Sequence, residues 1–229
     1  MSERSSVPEA TVARLATYLR VLGQLDTSAG IATISSDELA ARSGVNGAML
    51  RKDLSYLGSY GIRGVGYEVG TLTAEIARTL GVTVSKSVLL IGVGNLGQAL
   101  AGYAGFTARG FRITALVDSD PSRVGSVVSG LPVSGIADLE AVAAEHQVAI
   151  AVIATPAEVA QQVCDRVVAC GVSSILNFAP VVLNVPTHVD LRQVDLAAEL
   201  QILSFHENRK AAALLSGVHV ADVSAEVMA

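Results

Sequence analysis

The sequence predicts an α/β fold: a doubly wound parallel sheet, preceded by a small helical domain and followed by one more helix. Three observations predict it. Apolar runs of strand length at 88–91, 113–117, 148–153 and 174–178 alternate with stretches of helical periodicity, as crossover-connected parallel strands do. Hydrophobic residues make up 51% of the 229 positions but aromatic ones only 4%, the aliphatic composition of a sheet buried on both faces. The first 80 residues lack that alternation and read as short helices set off by polar caps and glycines.

Taken in order, Pro8 suits a first helical position, and Val12, Leu15, Ala16, Leu19 and Leu22 recur at spacings of three and four, the apolar face of an opening helix. Residues 26–30 read as the loop that stops it. Ser35-Ser-Asp-Glu38 is a capping-box pattern that starts a short helix to about Ser43. Gly44 breaks that helix, Asn46 caps again, and a third helix follows over about 47–57. Ala40, Gly44 and Leu50 have the small, turn and apolar spacing of a helix-turn-helix. Leu50, Leu54 and Leu57 form the inward stripe of its second helix, leaving Arg51, Lys52 and Ser55 on faces from which side chains can reach base edges and phosphates. The same spacing also fits a helical bundle with a charged, solvated face. Residues 58–69 place glycines around β-type residues as in a tight hairpin. Such a hairpin after a recognition helix is a wing, with Arg63 near its tip. Thr71 then caps a fourth helix with Leu72, Ile76 and Leu80 on one face, ending at Gly81. Residues 83–86 connect to the second domain.

The run 88–91 feeds directly into Gly92-Val93-Gly94-Asn95-Leu96-Gly97 and then a helical pattern. In that context Gly92 permits the tight turn, Gly94 lets backbone approach a pyrophosphate, and Gly97 lets helix pack on strand. Twenty-one positions after Gly97, the next apolar run ends in Asp118, where a carboxylate can bind the adenosine ribose hydroxyls. Asp120 adds a second acid that would repel a 2′-phosphate, favouring NAD(H) over NADP(H), although Arg123 pulls the other way. A brief strand at 131–133 and a helix from Asp138 to about His146 follow. The strand 148–153 leads into Thr155-Pro156 and a helix to Cys170; the strand 174–178 ends in Asn177-Phe-Ala-Pro180; 189–194 forms a last, more exposed strand. Ligands of such Rossmann-type sheets lie at the carboxyl ends of the strands, where Gly92, Asp118, Thr155, Pro156 and Asn177 point. Beyond Asp195 the pattern is helical to Leu203, and an alanine-rich terminal helix spans 207–215, packing on its own domain or on a partner subunit. The boundaries expected are 1–82, 83–203 and 204–229.

The net charge of -5 belongs to the second part: residues 1–80 hold 8 Lys+Arg and 8 Asp+Glu, residues 81–229 hold 8 and 13. DNA contact therefore rests on a few placed cations and not on a strong overall field. No apolar run approaches the roughly 18 residues that span a bilayer, and residues 1–8 are polar, so a soluble, cytoplasmic protein is expected. Cys164 and Cys170 are six apart in one helix, facing different sides as core filling. None of the four histidines, His146, His188, His206 and His219, falls at a strand carboxyl end, and neither metal-ligand spacing nor a Ser/His/Asp order is present. Thr155 and Asn177 can hydrogen-bond a carboxamide, but neither is a proton donor, so no catalytic residue is assigned. A dinucleotide site without an acid–base group, joined to a DNA-binding module, is most economically a sensor. The rivals are a small NAD-dependent oxidoreductase, a CoA-binding-type nucleotide module, and an N-terminal half that is a protein-interaction bundle.

Leu50-Arg-Lys-Asp-Leu-Ser-Tyr-Leu57, Arg63-Gly-Val-Gly-Tyr67, the Gly92–Gly97 loop, Ile175-Leu-Asn-Phe-Ala-Pro180 and Val194-Asp-Leu-Ala-Ala-Glu-Leu200 together resemble the Rex family of bacterial redox-sensing transcriptional repressors. The resemblance runs from about Pro8 to Phe205. It implies a homodimer with winged helix-turn-helix domains on a palindromic operator, NAD(H)-binding Rossmann domains, and a terminal helix swapped between subunits. It implies further that Arg51, Lys52, Ser55 and Tyr56 of the recognition helix and Arg63 of the wing contact DNA. Gly92 to Gly97 and Asp118 would hold the dinucleotide, with Tyr103 near the nicotinamide. Arg20, Tyr103 and Asp195 would link the two domains as a switch. Two departures stand out: Val45-Asn-Gly-Ala-Met49 is less polar than the family's usual helix start, and the tail after Gly217 is extra.

Overall fold

The structure, a computed structural model, describes residues 7–29, 32–58, 61–62 and 65–215. The chain divides into two units, Met1–Lys86 with Ala104–Arg112, and Ser87–Tyr103 with Ile113–Ala229, so the divide is not a single cut in the chain.

In the first unit, α1 (Glu9–Ala29), β1 (Thr33–Ile34), α2 (Ser36–Ser43), α3 (Gly47–Ser55), β2 (Tyr67–Glu68) and α4 (Val69–Thr79) follow one another. Leu15, Tyr18 and Leu22 of α1 meet Leu39 and Ala40 of α2, Leu50 and Leu54 of α3, and Leu72 and Ile76 of α4 in one aliphatic core. The expected caps form. Ser35 Oγ accepts from the Glu38 N–H at 3.1 Å and Asn46 Oδ1 from the Met49 N–H at 2.7 Å, and Gly44 closes α2 in the left-handed region.

Four expectations need correction. Helix α1 continues through 26–29, because neither glycine nor proline stands between Leu25 and Gly30. Its buried face carries Thr11, Leu15, Tyr18, Leu22 and Leu25, while Val12 and Ala16 are exposed. The shift follows from Asp53 of α3, which offers Thr11 and Tyr18 a buried hydrogen-bond partner. The wing pairs antiparallel with residues ahead of α2, Thr33 opposite Glu68 and Ile34 opposite Tyr67, with a further bridge between Ile62 and Gly66. Glu68, and not Thr71, caps α4: its carboxylate accepts from the Gly70 and Thr71 N–H groups. The helix therefore starts at Val69.

The second unit is built on a seven-stranded sheet in the order β5-β6-β4-β3-β7-β8-β9. The strands are β3 (Lys86–Ile91), β4 (Phe111–Asp118), β5 (Val127–Val128), β6 (Leu131–Gly135), β7 (Ile150–Ile153), β8 (Ser174–Asn177) and β9 (Asp190–Gln193). β3 pairs parallel with β7, β4 with β6, β7 with β8 and β8 with β9, and the edge hairpin β5·β6 is antiparallel. The helices are α5 (Asn95–Ala101), α6 (Ala104–Thr107, grouped with the first unit), α7 (Leu139–Glu145), α8 (Ala157–Ala169) and α9 (Leu196–Leu215). From β3 the chain builds outward to β4 and β6, then returns to β7, β8 and β9 on the other side. Strand order thus reverses between β3 and β7, which is where an open α/β sheet leaves a crevice. The central strands are buried toward their carboxyl ends, with Leu89, Ile91, Val117, Ala151 and Ile153 at 5% exposure or less. The segment past Asp195 is one 20-residue helix, α9, and not two, since nothing between Leu203 and Glu207 breaks it. Asp195 caps it by accepting from the Ala197 and Ala198 N–H groups. Leu196, Leu200, Leu203 and Phe205 are exposed along it.

Candidate functional site

A cleft of about 750 Å³ opens at the strand reversal, lined by Gly92, Gly94, Asn95 and Leu96 of the glycine loop, Asp118 to Asp120 and Arg123 after β4, Ile136 after β6, Thr155 and Pro156 after β7, and Phe178 and Pro180 after β8. Two of its glycines are required by packing. At Gly92 (φ +92°) an added Cβ would lie 2.5 Å from the Ala154 carbonyl oxygen, and at Gly97 it would penetrate the Gly92 carbonyl. The obstacles are backbone atoms that cannot swing aside. At Gly94 the nearest atom is the Arg123 guanidinium, 3.4 Å away, so the loop faces open space there. Gly94 also gives α5 no side-chain cap, leaving its first N–H groups for a ligand.

Asp118 is 6% exposed and ties the loop to β4. Its Oδ2 accepts from the Val93 N–H at 2.6 Å and its Oδ1 from the Asp120 N–H at 2.8 Å. Arg123 lies 3.4 Å from Asp118 and 3.5 Å from Asp120. Hydrogen bonds from the Ser122 hydroxyl and N–H hold the Asp120 carboxyl below its ordinary range. Across the cleft, Arg166 of α8 donates from Nε and Nη2 to Glu140 at 2.8 and 2.6 Å. Thr155 Oγ1 is buried without a hydrogen-bond partner among the described residues, an orphaned group that a bound ligand would satisfy.

Asn177 needs correction. It is fully buried, its Nδ2 donates to the Ala179 and Val181 carbonyls and Gln193 Oε1, and its Oδ1 accepts from the Ala179 N–H. A carboxamide spent on its own loop shapes the turn that carries Phe178 and Pro180 to the cleft. Sequence reasoning missed Gln162, Val163 and Arg166 as lining residues; Gln162 and Arg166 stand one helical turn apart on α8 and read as an ordinary solvent face.

On the first unit, Arg51, Lys52, Ser55 and Tyr56 are all exposed on or just past α3. Arg51 Nη1 rests 3.3 Å from Asp37, and Ser55 Oγ donates to the Lys52 carbonyl. Between them Asp53 turns inward at 1% exposure. Its carboxylate accepts from Thr11 Oγ1 (2.9 Å), Arg14 Nε and Nη2 (2.6 and 2.8 Å) and the Tyr18 hydroxyl (2.8 Å). Burial alone would push its carboxyl up, but the bonds from Arg14, Tyr18 and Thr11 hold it below the ordinary range. The Tyr18 hydroxyl is pushed well up, by burial and then by Asp53.

A family model described as a CoA binding domain matches residues 83–181, and one described as a putative DNA-binding protein N-terminus matches residues 6–55. The redox-sensing transcriptional repressor Rex of Streptomyces coelicolor is 60% identical over 205 residues, covering 90% of this chain and 79% of that protein. The chain belongs to the Rex family. Rex of Desulfitobacterium hafniense is 48% identical, with 87% and 95% of the two chains covered. Two crystal structures of RSP, a Rex-family repressor, share the fold. The complex with β-NAD+ and operator DNA has a TM-score of 0.84 at 33% identity, covering 93% of this chain and 98% of that one. The complex with β-NADH has a TM-score of 0.81 at 32% identity, covering 91% and 97%. Of the residues that the Rex resemblance named for a switch, Arg20 is exposed on α1 in the first unit. Tyr103, half exposed just past α5, and Asp195, the cap of α9, are in the second. Arg63 and the tail after Gly217 lie outside the described residues.

Proposed function

We propose that this Rex-family chain is a redox-sensing transcriptional repressor that binds operator DNA through its first unit and releases it when NADH occupies the cleft of its second. One observation carries the reading: a glycine-loop cleft whose carboxylates, among the described residues, are held by backbone N–H groups, Ser122 and Arg123 shares a chain with a helix-turn-helix whose Arg51 and Lys52 are exposed. RSP, similar over almost its whole length, is a repressor seen with NAD+ and operator DNA and with NADH.

The residues of the cleft fit NAD(H). Gly92 to Gly97 and the open end of α5 receive the pyrophosphate, Asp118 and Asp120 face the adenosine ribose, and the orphaned Thr155 hydroxyl, with Pro156 beside it, meets the far end. NAD(H) supplies the redox signal; the protein supplies binding and a change of state. Among the described residues no histidine lines the cleft, and Asp118 and Asp120 are committed to the Val93, Asp120 and Ser122 donors and to Arg123. The chain is accordingly read as a regulator and not as an enzyme. Residues 1–82 carry DNA binding through Arg51, Lys52, Ser55, Tyr56 and Arg63, residues 83–203 the dinucleotide, and residues 204–229 the contact that makes a homodimer, working in the cytoplasm. The Rex resemblance assigns the switch to Arg20 of the first unit and to Tyr103 and Asp195 of the second.

The match of 83–181 to a CoA binding domain favours one rival, a CoA-binding module. Calorimetry with NADH and with CoA separates the two: micromolar or tighter NADH binding without CoA binding is expected. The function itself is tested by selecting binding sites from random DNA with NADH or NAD+ present. A palindrome enriched with NAD+ and lost with NADH is expected; no enriched sequence under either condition contradicts the proposal.

A further inference from the structure

We infer that Asp53 is a positioning residue for operator reading: its buried carboxylate sets the rotation of α3 on α1, and so the aim of Arg51 and Lys52. The inference rests on the reading of the chain as an operator-binding repressor. The remaining contacts of α3 with the core are aliphatic, through Leu50 and Leu54, and apolar burial is non-directional. Hydrogen bonds are directional, weakening steeply away from linearity. Asp53 receives four of them from three side chains spread over two turns of α1, Thr11, Arg14 and Tyr18. Donors spaced along α1 and converging on one carboxylate fix α3 against both rotation and sliding.

The lever is short. Arg51 and Lys52 are the two residues next before Asp53 on the same helix, and both point outward. Side-chain ends lie about 6 Å from a helix axis, so a 20° roll of α3 displaces them by roughly 2 Å. Base-edge hydrogen bonds span only about 2.7–3.2 Å, and a displacement of that size removes a bidentate contact. Phosphate contacts from a flexible lysine or arginine tolerate it. Loss of the Asp53 anchor therefore falls on sequence preference before it falls on general DNA affinity. A carboxylate that only stabilised the fold would change the melting midpoint and leave the preference of the folded protein intact.

The test uses the full chain as parent, Asp53→Asn, Tyr18→Phe and the double variant Arg14→Met/Asp53→Leu, the last replacing the network by apolar packing. Dissociation constants are measured for the selected operator and for an unrelated duplex of equal length, well below each variant's melting midpoint. Asp53→Asn is expected to lose about 5- to 150-fold on the operator, the worth of a bidentate base contact, with less than about a threefold change on the unrelated duplex. The double variant is expected to keep the parent's melting midpoint and still lose operator preference, and Tyr18→Phe to fall between. A folded double variant and a folded Tyr18→Phe that both discriminate like the parent would overturn the inference, as would equal losses on both duplexes in Asp53→Asn. A parent that binds both duplexes alike overturns the operator reading itself, which separates that failure from this one.

Discussion

At Asp118 one carboxylate reaches two backbone N–H groups, those of Val93 in the glycine loop and of Asp120 after β4. Removing it frees the loop from the strand that orders it, and hydrogen bonds to charged groups contribute about 1.5–3 kcal/mol each. Asp118→Ala is therefore expected to weaken NADH binding by about tenfold or more in calorimetry while operator binding without NADH stays at the parent level; unchanged NADH affinity contradicts its role. Arg51→Ala should cost roughly 1–3 kcal/mol on the operator if Arg51 reads a base edge; an equal loss on random DNA makes it a phosphate contact instead. The Asp53 network has a pH signature with two limbs. The Asp53 carboxyl titrates lower folded than unfolded, so its stabilisation is present above about pH 4 and is lost as pH falls through the folded value. The Tyr18 hydroxyl titrates higher folded than unfolded, so its stabilisation is present below about pH 10 and is lost as pH rises beyond it. Melting midpoints against pH should drop at both ends. Asp53→Asn should flatten the acid limb and Tyr18→Phe the alkaline one; a parent-like acid limb in Asp53→Asn excludes this carboxylate as its source.

Among the elements, those governed by local chemistry were legible in the sequence. Ser35 and Asn46 cap their helices through bonds to residues three positions on, and the Gly92–Gly97 turn follows from strand, glycines and helix in direct succession. Elements governed by distant partners were not. Two-residue β1 has no alternation to read, because its pairing partner is Tyr67–Glu68. The inward turn of Asp53 leaves no local signal in the sequence, since its three partners lie 35 to 42 positions away. Asn177 stood at a strand's carboxyl end, where position gives a direction but not what the following loop does with the amide. Helices α1 and α9 were cut short because a polar stretch is a weaker stop than glycine or proline. The correction to α9 has a consequence. One uninterrupted helix exposing Leu196, Leu200 and Leu203 presents a long apolar surface, and each leucine buried contributes about 1.5–3 kcal/mol. If the proposed homodimer forms through this surface, Leu200→Glu combined with Leu203→Glu should convert it to a monomer in analytical ultracentrifugation and weaken operator binding with it. An unchanged mass would show that the dimer contact lies elsewhere.

For the molecule as a whole, the division of charge matters more than its total. The first 80 residues are neutral on balance and the acid surplus lies beyond them, so DNA attraction comes from a few placed cations and their aim decides affinity for the operator. That makes the output sensitive to small rearrangements, which suits a protein whose input is a dinucleotide held in a separate unit. Moving a two-state equilibrium from 1:99 to 99:1 requires about 5.5 kcal/mol of differential affinity, and the cofactor's two forms differ by a hydride and a ring charge. Linkage then demands reciprocity: if NADH weakens operator binding, operator weakens NADH binding by the same factor. The measurement that tests this most directly titrates the operator complex with NADH and, in parallel, with NAD+, and repeats the NADH titration on free protein. NADH is expected to lower operator affinity by about 5- to 150-fold, with operator weakening NADH binding equally and NAD+ leaving the complex intact. Operator affinity that is the same at saturating NADH as without it contradicts the account.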